Sequence, residues 1–277
     1  MKVLMLRYWS GRAHDLGRMS LGRLTRTFFS YPAIATYMAI AAGCLGYVAW
    51  RPGSVWALAA AAIAASLVYP LAWYLLHRFV LHGRWLYKIP QMAALWKRIH
   101  FDHHQDPLDL RVLFGGLHTT LPTIVLITAP IGWAIGGPSG AAMATAVALL
   151  TTCFYEFVHC VQHLNHLRDW AWLREMKRLH QAHHYHSEQG NFGITDFFWD
   201  RVFGTYYNSA KDEPRSPTVF NLGYTAEEAK RYPWVLELSG GERRDDGPRA
   251  ASRQGVNART PADTGAGPSA DVEKSAA

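Results

Sequence analysis

The residues with the clearest chemical meaning in this 277-residue sequence form two identical histidine triads. Each triad has the spacing i, i+3 and i+4, which places three imidazoles on one face of a helix. Imidazole is the commonest protein ligand for transition metals, so the repeated spacing predicts metal binding. The triads are His100, His103 and His104, and His180, His183 and His184.

Two histidine pairs bring the number of candidate ligands to ten. His159 and His163 are one helical turn apart, whereas His77 and His82 are separated by five residues. On a regular α-helix that separation turns two rings about 140° apart, so this pair either faces different metals or flanks a helix distortion. Ten nitrogen ligands are too many for one metal ion and suit two ions, each with about four or five.

Further polar residues lie close to these histidines in the sequence. Tyr155 precedes His159 by one turn and is expected beside it. Glu156 ends an apolar stretch, and we expect it to hydrogen-bond a ligand imidazole and fix its tautomer, a carboxylate reaching interfacial water being the alternative. His14 is expected at the surface. Three more histidines are candidates for contact with the ligands or the substrate, with plain packing as the alternative: His118, His166 and His186.

The candidate ligands lie next to long stretches of sequence without Asp, Glu, Lys or Arg. They cover residues 27–50, 52–77 and 112–155. Because about 20 apolar residues cross a bilayer, the first two hold one span each and the third holds two. We therefore predict an all-α, four-span membrane helical bundle, the alternative being buried core helices of a soluble protein. The expected spans are about 31–50, 55–76, 117–135 and 141–158, the last two joined by the glycine-rich residues 136–140.

The distribution of basic residues predicts the orientation of the bundle. The first 29 residues and the loop after the second span carry six Lys or Arg each, whereas the two opposite connections hold only Arg51. The positive-inside rule then places both termini and the long loop in the cytosol. Spans two and four both end on that side, so all the candidate ligands meet at the cytosolic face. The net charge of +7 is explained by this topology and by anionic lipid, not by nucleic acid binding.

Composition divides the chain into three parts. Residues 1–29 are basic with interspersed apolar residues and are expected to lie along the inner membrane surface, a cleaved signal peptide being the alternative. Residues 30–238 form the membrane domain, with a cytosolic histidine-rich helical cap that holds the di-metal site. Residues 239–277 are expected to be a disordered tail, because they are rich in Ala, Gly, Pro, Ser and charge. The three cysteines lie in or beside spans and form no disulfide framework.

The histidine clusters together resemble the fatty acid hydroxylase superfamily of integral-membrane di-iron enzymes. The resemblance rests on H-R-F-V-L-H, H-F-D-H-H, H-C-V-Q-H and H-Q-A-H-H, closed by F-G-I-T and W-D-R-V-F-G-T, and covers about residues 65–207. Within the superfamily the chain most resembles the fatty acid 2-hydroxylases. Glu156 is one departure, since the family pattern has Asp there.

The resemblance implies that the ten histidines ligate two non-haem iron ions, which use O2 to hydroxylate a membrane lipid, foremost at carbon 2 of a fatty acyl chain. Oxidation of a sterol, a carotenoid or an aminolipid head group by the same chemistry is the alternative within the superfamily. No His-Pro-Gly-Gly haem motif is present, so electrons are expected from a separate redox protein, cytochrome b-type or ferredoxin with its reductase. We expect an integral protein of a bacterial cytoplasmic membrane, of undefined oligomeric state.

Other classes of membrane protein fit the pattern less well. A metalloprotease requires a motif such as H-E-x-x-H, which is absent from the sequence. A haem-carrying electron-transfer protein needs one or two axial ligands, not triads. A metal transporter carries polar ligands in the middle of its spans, where this chain has almost none.

Overall fold

The computed structural model describes residues 14–113, 116–165 and 170–245. Within these ranges the protein is helical, and the only β pairing is an isolated bridge between Asp15 and Asp109. The predicted all-α class is confirmed at this level. His166, most of the predicted interfacial segment up to residue 13, and the predicted tail from residue 246 onward lie outside the described residues.

Ten α-helices follow one another along the described chain, interrupted by two π-helical segments. The π-helical segments are Leu76–Leu81 and Lys97–Phe101, and short 3-10 turns occur at Leu16–Arg18, Leu86–Lys88 and Leu110–Val112. The α-helices are α1 (Leu21–Phe29), α2 (Pro32–Trp50), α3 (Val55–Leu75), α4 (Pro90–Trp96), α5 (Asp102–Gln105), α6 (Leu117–Gln162), α7 (Ala171–Tyr185), α8 (Phe198–Val202), α9 (Ala226–Arg231) and α10 (Trp234–Leu238).

Three helices in the described chain are long and apolar enough to cross a membrane: α2, α3 with its continuation to Lys88, and α6. The sequence predicted four spans, and the difference lies in α6, which holds both of the last two predicted spans. This helix is broken at Gly136 (φ −143°, ψ 24°) and Gly137 (φ 60°, ψ −149°), neither of which is helical. The break falls where the sequence predicts a connection.

The backbone on the two sides of the break lies side by side. A Cβ atom on Gly132 would collide with the carbonyl oxygen of Gly140. In a continuous helix these residues would be about 12 Å apart along the axis. The break also contacts the connection between α2 and α3, because Ser139 Oγ donates a hydrogen bond of 2.5 Å to the carbonyl of Arg51. The two halves of α6 therefore form a helical hairpin next to the α2–α3 hairpin.

A second layer covers one end of these long helices. The aromatic side chains of Tyr87, Trp96, Phe101 and Tyr224 form its core, which is separate from the core between α2, α3 and α6. Residues 86–105 of this layer are divided into a 3-10 turn, α4, a π-helical segment and α5. Pro90 starts α4, because its ring is accommodated in the first helical turn.

Two peripheral segments are held by hydrogen bonds to distant parts of the chain. His14 is buried, so its expected surface position is wrong: its carbonyl accepts a hydrogen bond of 3.1 Å from Leu110 N–H, which holds the segment inward. Near the other end, Gln105 exchanges two hydrogen bonds with the backbone of Arg244, at 2.9 and 3.1 Å. Residues 239–245 of the predicted tail thus have defined contacts.

Replacing Gly132 by Ala is expected to lower the thermal stability of the purified protein in detergent. The new methyl group presses on the Gly140 backbone, and overpacking of this kind costs about 1–3 kcal/mol. Gly43→Ala in α2 is the matched control, because a Cβ there meets nothing within 4 Å. Equal melting temperatures for the two variants would contradict the close approach of the two halves of α6.

Candidate metal centre

Nine of the ten predicted ligands converge in two adjoining groups. In each group the ring nitrogens lie within 4.8 Å of one another, and every histidine is buried except the half-buried His82. The five-histidine group consists of His103, His159, His163, His180 and His184. The four-histidine group consists of His77, His82, His100 and His183.

Each triad contributes to both groups. His180 and His184 belong to the five-histidine group, whereas His183, between them, belongs to the four-histidine group. In the upstream triad, His103 joins the first group and His100 the second. The two triads therefore run along the boundary between the groups, and any two metals bound there would be neighbours.

A π-helical turn explains how His77 and His82 reach one site. The amide of His82 donates to the carbonyl of His77 at 3.0 Å, an i→i+5 hydrogen bond that replaces the α-helical one. This wider turn brings the two rings onto one face, with Nε2 atoms 3.2 Å apart. Of the two sequence interpretations of this pair, the helix distortion is the one present.

The ring nitrogens face one another at distances that suit a shared cation. In the four-histidine group, Nε2 of His100 lies 3.2 Å from Nε2 of His77 and 2.8 Å from Nε2 of His82. In the five-histidine group, Nε2 of His103 and His159 are 3.1 Å apart. Converging lone pairs repel unless a proton or a cation lies between them. These donor sets thus fit transition metal ions, which imidazole binds well.

Backbone carbonyls fix the tautomers of several rings. Since a carbonyl only accepts, each hydrogen bond to one requires an N–H on Nδ1 and leaves Nε2 as the lone-pair nitrogen. Nδ1 of His77 donates to Phe192 O at 2.6 Å, and Nδ1 of His183 donates to Gly190 O at 2.8 Å. Hydrogen bonds of this kind orient metal-ligating histidines in general.

His104 lies between the groups and belongs to neither. Its ring centroid is 4.3 Å from that of His184 and 4.7 Å from that of His100. Nδ1 donates to Val219 O at 2.9 Å, and the buried Nε2 has no hydrogen-bond partner. An unsatisfied buried nitrogen beside two groups of metal-ligand type is consistent with the predicted ligand role, which stays a prediction.

Burial keeps the cap histidines in the form that binds metals. It lowers the pKa of His104 and of His183 to about 3, and the neighbouring imidazoles act in the same direction. The same cause holds the pKa of His100, His103 and His180 well below the usual value. At neutral pH these rings are therefore neutral, with a lone pair available.

The other predicted residues occupy different positions. The Tyr155 ring lies 6.4 Å from the ring of His159, as expected. Glu156 is buried and acts electrostatically on the Tyr31 hydroxyl; its contact with a ligand imidazole stays a prediction. His118 is exposed at the start of α6, and the His186 ring hydrogen-bonds the carbonyl of Glu213 at 2.6 Å. Both lie outside the two groups.

Residues 190–195, here called the closing segment, contribute more than the sequence indicated. They carry the carbonyls bound to His77 and His183, and the Phe192 ring packs against three rings of the four-histidine group. The available signal is Gly190-Asn-Phe-Gly193, because closely spaced glycines often mark a close backbone approach. Asn191 has a positive φ of 54°, and neither glycine has room for a Cβ.

A small cavity lies between the two groups and the lipid-facing helices. Phe192, which touches the four-histidine group, and Tyr155, which approaches the five-histidine group, both line it. Its walls are otherwise mostly aromatic and apolar, and include Trp73, Tyr74 and Ile194. Its volume of about 20 Å³ has room for roughly one water molecule and not for an acyl segment in this conformation.

The chain is similar to several curated proteins with named activities. The ceramide very long chain fatty acid hydroxylase of Saccharomyces cerevisiae is 33% identical over 146 residues, 50% of this chain and 36% of the relative. A dihydroceramide fatty acyl 2-hydroxylase of Arabidopsis thaliana is 32% identical over 143 residues, 48% of this chain and 54% of the relative. The fatty acid 2-hydroxylase of Rattus norvegicus is 26% identical over 147 residues, 52% and 38% of the two chains. The match thus spans between about a third and about half of the length of these eukaryotic relatives.

The fold and a family model agree with these similarities. The solved hydroxylase domain of scs7p matches with a TM-score of 0.51 and 26% identity, over 73% of this chain and 71% of that one. Residues 62–205 match the family model named Fatty acid hydroxylase. This range includes all ten predicted ligands. By this match over half of its length, the chain belongs to the fatty acid hydroxylase family.

Proposed function

We propose that this protein hydroxylates the fatty acyl chain of a membrane lipid at carbon 2, using O2 and a di-iron centre held by the ten histidines. The observation that carries the proposal is the pair of adjoining histidine groups, within a chain that belongs to a family of hydroxylases. The relatives named as 2-hydroxylases support the position of the reacting carbon.

The proposed reaction supports a redox-active metal such as iron as the working metal. Alkyl C–H bonds resist acids, bases and nucleophiles, so their hydroxylation needs an oxidising metal centre, whereas zinc has no redox chemistry. Two iron ions supply the electrons that O2 activation at such a centre requires. The chain's own residues bind the ions through Nε2, orient the rings through backbone carbonyls, and exclude bulk water by burial.

The position of the site supports a carbon near the lipid carbonyl. His77 and His82 lie at the end of the apolar helix α3, and an open apolar groove runs along α3, with Leu75, Leu76 and Phe79 in its lining. A carbon next to the carbonyl lies at the level of the head groups and can approach the metals without leaving the bilayer. A terminal methyl group would have to fold back. The same depth suits a polar head group, which is why the aminolipid alternative needs a test.

The arrangement of the helices supports four spans with the site in the cytosol. The two halves of α6 run side by side, and its break contacts the α2–α3 connection, so both hairpin turns lie at one end. The histidines and the basic residues Arg78 and Arg84 lie at the other end. Under the positive-inside rule that basic end is cytosolic. Electrons are proposed to arrive there from a separate redox protein.

The first test concerns the metals. The purified protein is expected to hold about two metal ions per chain, with iron in the active form. His103→Ala and His183→Ala, one from each group, should each remove one ion and reduce hydroxylation by at least about 100-fold. His118→Ala is the matched control, because this histidine is exposed and outside both groups. Elemental analysis that finds one ion or none in active wild-type enzyme would remove the di-metal proposal.

The second test concerns topology. A reporter that is active only in the cytosol, fused after residue 240, is expected to give signal, and the same reporter inserted in residues 51–54 is expected to give none. The reason is that these positions lie at opposite ends of the helical bundle. The reverse pattern would overturn the orientation. Signal at both positions would require an even number of spans between them and would contradict the three spans proposed there.

The third test concerns the reacting carbon. Cells that express the protein and receive a fatty acid dideuterated at carbon 2 are expected to form a product that has lost one deuterium and gained one oxygen from labelled O2. Cells expressing His183→Ala provide the control. Mass spectrometry that finds both deuteriums retained, with the oxygen in a head group or ring, would contradict the acyl proposal and leave the family chemistry intact.

A further inference from the structure

We propose that Asp200 is a positioning residue of the four-histidine group and acts on His77 through the backbone of the closing segment. The proposal rests on the di-metal site described above. Asp200 belongs to α8 and does not touch a metal-ligating ring in the contacts described. Its carboxylate instead controls the peptide units whose carbonyl fixes the tautomer of His77.

The carboxylate of Asp200 is fully buried and accepts three hydrogen bonds. Oδ1 accepts from Phe192 N–H at 2.8 Å, and Oδ2 accepts from Gly193 N–H at 2.9 Å. Thr205 Oγ1 donates to Oδ1 at 2.8 Å. Two consecutive backbone amides are thus held by the two oxygens of one side chain, which fixes both the position and the direction of that stretch of chain.

Phe192 transmits this position to the metal site. Its N–H is bound by Asp200, and its carbonyl accepts from Nδ1 of His77 at 2.6 Å. Its ring centroid lies 5.2 Å from that of His82 and 5.6 Å from that of His183. A shift of Phe192 therefore changes the hydrogen bond of one ligand and the packing of two others.

The closing segment needs such an external support, because its own conformation is unfavourable. Asn191 has a positive φ of 54°, which costs a non-glycine residue energy unless the surroundings stabilise it. The Asn191 side chain is bound to Tyr207 by two hydrogen bonds, to N–H at 3.1 Å and to O at 2.9 Å. Asp200 supplies the matching support on the other side of Phe192.

A directed chain of hydrogen bonds connects Asp200 to the end of α3 that precedes His77. Thr205 uses its only hydroxyl proton on Asp200, so at 2.9 Å Tyr74 must donate to Thr205 Oγ1. Arg78 then donates to Tyr74 Oη at 2.8 Å. Every donor in the chain points toward the carboxylate, and this polarity favours its ionised form.

An amide cannot replace the carboxylate at this position. Asn would keep one acceptor oxygen, but its NH2 group would face the N–H of Phe192 or of Gly193, donor against donor. Burial raises the pKa of Asp200 to about 6, and its hydrogen bonds act in the opposite direction. The group is therefore mainly ionised at neutral pH, as its contacts require.

The experiment compares metal binding by full-length wild type, Asp200→Asn, Thr205→Val and Thr205→Ser. Co2+ serves as the probe, because its visible absorption reports the geometry and number of its ligands. Wild type is expected to take up two Co2+ per chain. Asp200→Asn is expected to bind the ion of the four-histidine group about 10- to 100-fold more weakly, with a changed Co2+ spectrum. Thr205→Val should show a smaller change, and Thr205→Ser, which keeps the hydroxyl, should restore the wild-type spectrum.

Asp212→Asn is the matched control. That exposed carboxylate also accepts a backbone N–H, at 2.8 Å, but the donor is Ser209, which lies outside the closing segment. Wild type with fewer than two Co2+ would refute the proposed di-metal site. Wild type with two Co2+, and Asp200→Asn with the same affinity and spectrum, would overturn the positioning role alone. If Asp200→Asn does not fold, the Thr205→Val variant provides the test. Co2+ affinity and a Co2+ spectrum equal to those of wild type in that variant would overturn the proposal.

Discussion

The constraint on which the structure depends is the convergence of nine imidazoles in two groups, all of them buried except the half-buried His82. Desolvation keeps the rings neutral, and neutral rings present lone pairs that repel one another when Nε2 atoms approach to about 3 Å. A proton or a metal cation between the nitrogens relieves this repulsion without exposing the rings. The packing around them is therefore organised to hold the rings in place, with aromatic side chains on the cap side and paired long helices beneath.

Local helix geometry answers the same constraint. The π-helical segment Leu76–Leu81 lacks regular α-helical hydrogen bonds, and its wider turn brings His77 and His82 together. A second π-helical segment, Lys97–Phe101, includes His100 and leads directly into the rest of the upstream triad. Segments of this kind are rare and occur often at functional sites, because their cost is tolerated where side-chain placement matters more than helix stability.

The sequence predicts the shared helix faces of the histidines and the apolar helices, because both follow from short-range periodicity, whereas the ligand role of the histidines stays a prediction. The spacing of His180, His183 and His184 places them on one helix, and α7 indeed carries all three. The division of each triad between two groups was not predictable, since it depends on which rings of other helices lie opposite. The buried position of His14 was also missed, because it arises from backbone pairing with a distant segment around Leu110. Asp200 carries no local signal of its contact with Phe192, since that contact depends on how the closing segment folds back.

An all-histidine site has a consequence for electrostatics. Imidazoles and backbone carbonyls bring no formal charge, so two divalent cations would keep about four positive charges in a medium of low dielectric constant. In bundles where glutamates ligate the metals, much of that charge is cancelled by the ligands themselves. Here the compensating charge would have to come from farther away, and four buried acids are available in the described chain: Asp106, Glu156, Glu188 and Asp200. Because these acids do not belong to the two histidine groups, compensation at the ions themselves would be incomplete, and the site would attract anions and the negative end of a dipole, such as the carbonyl oxygen of an acyl lipid.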